Sequence, residues 1–127
     1  MKPSWIKIVA AAALLLAGAR AQALSIRTLA GGVTPGALNG FGSHARFNYP
    51  GGVAVDGAGN VYVADTLNSI IRRIAADGGV STLAGLAGEY GSSDGAEAAA
   101  RFYGPQAIAA DGAGQLYLAD TVNSTIR

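Results

Sequence analysis

The chain has no cysteine. That excludes a disulfide framework, a thiolate metal site and a lipid-modified cysteine anchor. It leaves the compartment open, because exported proteins need not carry disulfides. Histidine is nearly absent too: His44 is the only one in 127 residues, so no second His or Cys joins it in a metal cluster, and the sequence offers no Ser-His-Asp spacing. Charge is sparse at 13% of residues. No apolar run reaches the roughly 20 residues that a membrane span needs. The longest, Ile8 to Ala17, follows Lys2 and Lys7 and precedes the small residues Ala19, Ala21 and Ala23. That is the layout of an export signal over residues 1–23, cleaved after Ala21 or Ala23, and it predicts a secreted or periplasmic protein with no stable membrane span.

Beyond Ala23 there is no lysine. Six arginines face eight acidic residues, so the formal net charge of +1 becomes −2 once the leader is set aside. A mildly acidic chain argues against nucleic acid as a partner, since phosphate binding needs a basic field. Half the residues are hydrophobic and 19 are glycine, which suits many tight turns between buried strands and excludes disorder.

What is present is a repeat. Residues 46–72 read RFNYPGGVAVDGAGNVYVADTLNSIIR, and residues 101–127 read RFYGPQAIAADGAGQLYLADTVNSTIR. Arg46 to Arg101, Pro50 to Pro105, Asp65 to Asp120 and Arg72 to Arg127 are all 55 positions apart, whereas Thr28 to Thr82 is 54. One residue is therefore inserted in the second long connector, as expected of a surface loop.

Each copy predicts a meander. Gly52 to Asp56, Asn60 to Asp65, Ser69 to Ile74 and Val80 to Ala84 read as strands of near-modal length. Glycine-rich turns at 57–59 and 77–79, and the tight connection at 66–68, are too short for crossover helices, so the sheet is antiparallel. Ser25 to Gly31 matches the fourth strand and is expected to be a lone outer strand over 24–31. Residues 32–44 and 86–99 read as long connectors, with at most one helical turn at 96–100. Repeats of four short strands that are apolar throughout suit a β-propeller, whose blades are buried on both faces. The innermost strands should be small and glycine-rich, because blades converge at the axis.

Phe47 to Arg72, and again Phe102 to Arg127, resembles an NHL repeat, in the longer form found in exported bacterial proteins. The Asn-His pair that names the family reads Asn68-Ser69 and Asn123-Ser124 here. The resemblance implies an all-β propeller of four-stranded antiparallel blades. Residues 32–85 would be the first blade with its leading connector, and residues 86–127 a second blade reaching into its third strand. Such propellers commonly close with about six blades. The resemblance therefore implies that this sequence is one part of a longer propeller, with strand 24–31 latching the ring. Exposed blade faces would then seek the remaining blades or self-associate.

Candidate site residues follow from the repeat. Asp65, Asn68, Asp120 and Asn123 sit at tight turns, where carboxylates and amides bind backbone N–H groups. Recurrence in each copy favours that holding role over a ring of catalytic carboxylates. Arg46 and Arg101 are expected to pair with Asp65 or Asp120, and Phe47 and Phe102 to plug the gap between blades. The turns Asp56 to Asn60 and Asp111 to Gln115 lack the alternating acidic ligands of a calcium loop and read as hairpins. Strand counting puts the long connectors and the 65–68 turn on one face of the propeller, with Tyr90 and Tyr103. That face is the expected binding surface for a protein, peptide or glycan. No catalytic residue, metal ligand or cofactor site is expected from these residues. The alternative is part of a secreted propeller enzyme, lyase- or lactonase-like, whose metal site lies in other blades.

Overall fold

A computed structural model describes residues 24–127; the export signal expected over 1–23 lies outside them. The described residues are all-β apart from three single 3-10 turns. Eight strands form: β1 Gly40–Phe41, β2 Pro50–Val55, β3 Val61–Asp65, β4 Ile70–Ile74, β5 Gly79–Ala84, β6 Pro105–Ala110, β7 Leu116–Asp120 and β8 Thr125–Ile126. They build two antiparallel sheets, β1-β5-β4-β3-β2 and β6-β7-β8. Each sheet is a propeller blade running outward from β2 or β6. None of the described helices is long and apolar enough to cross a membrane.

The hairpins follow from their turns. The Asp56 carboxylate accepts the amides of Ala58 and Asn60 at 2.9 Å each, and Asp111 does the same for Ala113 and Gln115 at 2.8 Å. These bonds close the β2–β3 and β6–β7 turns. A 3-10 turn at Thr66–Asn68 joins β3 to β4, ending on Ser69 in the left-handed conformation (φ 54°). Ser124 repeats it at φ 57°.

Two apolar layers alternate with the blades. Between the blades, Ala64 and Ile71 of the first pack on Phe102 and Leu118 of the second. On the opposite face of the first blade, Val63, Ile74 and Val80 pack with Phe47 and Ala30. Near the axis β2 and β6 run side by side. A Cβ on Gly52 would come within 2.7 Å of the Gln106 carbonyl oxygen and 3.0 Å of the Ala107 Cα. The blades thus approach backbone to backbone, and glycine is required there by space.

Two parts of the sequence reading change. The first connector is not loop throughout: Gly40–Phe41 pairs with Gly79–Val80 as a fifth, outermost strand. Two residues carry no alternation, so only the open edge of β5 selects them. The outer strand expected over 24–31 carries no strand pairing, because no described strand lies beside it.

Candidate loop-face site

The face that carries the long connectors is built by one device used twice. In the first blade the Asp65 carboxylate is fully buried. Its Oδ1 accepts the Asn48 amide at 2.7 Å. Its Oδ2 accepts from Asn68 Nδ2 at 2.8 Å and from Arg72 Nη1 at 3.2 Å. Asn68 also donates to the Gly36 carbonyl at 2.8 Å. Arg72 donates onward to the carbonyls of Arg46 (2.9 Å) and Leu38 (3.0 Å) and to Asn39 Oδ1 (2.8 Å). Its guanidinium lies 5.1 Å from the Phe47 ring centroid, a cation–π distance. Only its Nε lacks a partner.

The second blade repeats each bond 55 positions on. Asp120 accepts from the Tyr103 amide (2.8 Å), Asn123 Nδ2 (2.8 Å) and Arg127 Nη1 (3.2 Å). Asn123 reaches the Gly91 carbonyl at 2.7 Å. Arg127 reaches the carbonyls of Arg101 (2.5 Å) and Ser93 (2.9 Å) and the Asp94 carboxylate (2.6 Å). Each aspartate and arginine therefore staples a long connector onto its blade. A buried pair of this kind fixes geometry rather than adding much net stability.

Arg46 and Arg101 do not pair with these aspartates. Each folds back onto its own connector: Arg46 donates to Ser43 O, Ala45 O and Thr34 Oγ1, and Arg101 to Ala98 O and Ala100 O. The aspartates are already filled from the neighbouring strand of their own blade. Arg72 and Arg127 are the residues that the sequence reading missed. Their signal was available: of the adjacent pair Arg72 and Arg73 in β4, Arg72 recurs 55 positions on as Arg127.

Pinning the connectors presents what lies between the pins. From Gly31 to Gly36 the first connector has four intervening residues; from Gly85 to Gly91 the second has five, which locates the insertion within 86–90. Those five turn tightly, with the Glu89 amide on the Leu86 carbonyl at 3.0 Å, and deliver Tyr90 onto Tyr103. The rings stack at 4.7 Å between centroids and 27° between planes. Tyr90 is 67% exposed and Tyr103 41%. In the first blade the corresponding positions hold Pro35 and Asn48, so the stack belongs to the second blade alone. Of the expected site residues, Asp65, Asn68, Asp120 and Asn123 are engaged in holding the connectors, and Tyr90 and Tyr103 come together with their rings in solvent.

The opposite face carries one perturbed pair. Asn60 Nδ2 and the Tyr62 hydroxyl donate to Asp56 Oδ2 at 2.7 and 2.9 Å. The Asn60 side chain, opposed by partial burial and aided by the amides and Tyr62, lowers the Asp56 carboxyl to about 2. The same carboxylate raises the Tyr62 phenol above its ordinary value. In the second blade Gln115 replaces Asn60, and the carboxylate of Asp111 keeps only the backbone contacts. Among the described residues no three His, Cys, Asp or Glu side chains converge on a possible metal position.

The NHL repeat family matches residues 47–72. This chain carries an NHL repeat. The bond-for-bond recurrence in the second blade extends the pattern through Arg127. Among solved structures it is similar to a structural genomics protein of unknown function from Bacteroides thetaiotaomicron, at 32% identity and TM-score 0.70, over 73% of this chain and 24% of the other. Two auxiliary nutrient binding proteins are also similar. The one from Bacteroides thetaiotaomicron is 25% identical with TM-score 0.67, over 77% and 26% of the two chains. The one from Bacteroides ovatus is 27% identical with TM-score 0.65, over 73% and 25%. This chain thus spans about a quarter of the length of these structures. No curated protein matches it.

Proposed function

We propose that this chain is a non-catalytic, exported binding module that takes a protein, peptide or glycan ligand on its connector face. The observation that carries the reading is the exposed Tyr90–Tyr103 stack. Two tyrosines supply a broad, stiff, amphipathic surface at low entropic cost, with hydroxyls at the rim for hydrogen bonding. The stapled connector beneath lowers the cost of ordering the site when a ligand arrives. The two solved relatives described as auxiliary nutrient binding proteins are in keeping with it. The N-terminal layout of Lys2, Lys7 and the apolar run to Ala17 supports export.

The test is to recover the chain from the exported fraction and probe it on peptide and glycan arrays. The recovered chain should begin at Gln22 or Leu24. Ligands found in this way should bind Tyr90→Ala and Tyr103→Ala at least about tenfold more weakly, as for aromatic hot spots. Thermal unfolding of Tyr90→Ala should stay close to that of the parent. Unchanged affinity in both variants would remove the stack from the site and refute the reading.

A further inference from the structure

One backbone conformation on the connector face is strained. Tyr49 has φ +57°, in the left-handed region that bulky side chains avoid. The same position in the second blade is Gly104, at φ +59°, which takes that conformation without steric cost. The first blade therefore carries an aromatic ring where the backbone favours glycine. Burial does not offset the strain, because Tyr49 is 74% exposed. Strain of this kind persists where the side chain serves a site rather than the fold.

Two short bonds tie the Tyr49 segment to the tyrosine stack, with the Thr66–Asn68 turn between them. On one side of the turn the Leu67 amide donates to the Asn48 carbonyl at 3.1 Å, next to Tyr49. On the other, Thr66 Oγ1 donates to the Pro105 carbonyl at 2.6 Å, two residues from Tyr103. Leu67, at the centre of the turn, is 63% exposed. The second blade packs beside it and does not cover it. Tyr49, Leu67, Tyr103 and Tyr90 thus form an apolar track that crosses from one blade to the next. A track of that kind suits an extended chain rather than a ligand the size of a single ring.

The charge beside the track has one sign. The second connector holds Glu89, Asp94 and Glu97, all exposed, whereas residues 32–44 of the first connector include no acidic residue. Asp94 is bonded to Arg127. Among the described residues Glu89 and Glu97 make no ion pair. The four arginines of this face are turned inward: Arg72 and Arg127 in the staples, Arg46 and Arg101 on connector carbonyls. Exposed aromatic rings near unpaired carboxylates attract a cation and disfavour an anion. We propose that the connector face takes an extended peptide carrying arginine or lysine. A cationic side chain lies against the Tyr90–Tyr103 stack, with Glu89 adjacent in the chain, and apolar side chains follow Leu67 and Tyr49. This rests on the reading of that face as a binding site and names the chemistry of its ligand.

The test is fluorescence anisotropy on the full chain with three labelled probes: a peptide of alternating arginine and leucine, the same peptide with citrulline for arginine, and a neutral gluco-oligosaccharide. The arginine peptide should bind at least about fivefold more tightly than the citrulline one, and added salt should erode the difference. Glu89→Gln should weaken the arginine peptide about twofold and leave the citrulline peptide unchanged. Tyr49→Gly should weaken both peptides at least about fivefold. It should melt no lower than the parent, since glycine holds that conformation in the other copy. Equal affinity for the two peptides, no binding of the arginine peptide, or a Tyr49→Gly variant that binds as the parent does overturns the inference. Binding of the oligosaccharide alone, lost in Tyr90→Ala, also overturns it while leaving the connector face standing as a binding site. Arginine-peptide binding that survives both Tyr90→Ala and Tyr103→Ala overturns the inference and the binding face together.

Discussion

Arg72 is the most constrained side chain in the molecule. It is fully buried, spans the Asp65 carboxylate, two connector carbonyls and Asn39, and stacks on Phe47. Removing one member of such a pair leaves an unpaired buried charge, which costs far more than the pair was worth. Arg72→Met should lower the unfolding free energy by about 3–5 kcal/mol in urea denaturation. Asp65→Asn with Arg72→Met should recover part of that loss. Arg72→Lys should behave like a loss as well, because an ammonium cannot serve four acceptors in one plane. Asp56 and Tyr62 titrate as a linked pair. The Asp56 carboxyl is lowered from 3.8 to about 2, so its contribution is present above pH 3.8 and is lost as pH falls through 2. The Tyr62 phenol is raised, so its contribution is present below the ordinary value of 10.0 and is lost as pH climbs through the higher folded value. Absorbance titration should find the Tyr62 phenol ionising above the ordinary value of 10.0. Asp56→Asn should return it toward that value and remove the acid-limb loss of stability; a titration curve unchanged in D56N would contradict the linkage.

At the scale of elements, the approach of β2 to β6 decides how the blades meet. The atoms nearest an added Cβ on Gly52 are the Gln106 carbonyl oxygen and the Ala107 and Ile108 backbone, none of which can swing aside. Gly52→Ala should therefore push the blades apart and cost about 1–3 kcal/mol, as overpacking does. A thermal melt of G52A should show it. Gly57→Ala, where a Cβ meets nothing within 4 Å, is the control. The strands β2 to β7 were legible in the sequence because apolar runs alternate with glycine turns and recur at a fixed period. β1 was not, since Gly40–Phe41 is strand only by virtue of the β5 edge beside it. The arginine assignments failed for a related reason. Arg46 and Arg72 both recur with the period, and sequence spacing cannot say which guanidinium points at Asp65. Strand register decides it: in the β3–β4 pairing Arg72 lies opposite Val63, two residues from Asp65 on the same side of the sheet. The Tyr90–Tyr103 contact was legible only as a shared face. The inserted residue marked a variable loop, but the turn that carries Tyr90 onto Tyr103 is set by backbone bonds that no motif announces.

Across the whole molecule the two blades are alike in bonding and unlike in cover. In the first, β3 and β4 are flanked by strands on both edges and by apolar layers on both faces. In the second, β7 has cover on one face, where Leu118 meets the first blade, and Tyr117 and Ile126 on the other face are exposed. Local opening is governed by the apolar contacts and backbone bonds that must break together. The same repeat position should therefore open at different free energies in the two copies. In dilute solution, amide exchange at Ala64 should be slower than at Ala119, and at Ile71 slower than at Ile126. The Asp65 and Asp120 staples are nearly identical, so the difference would report blade packing rather than turn chemistry. Equal protection in both blades at the lowest concentration would mean that cover does not set local stability here.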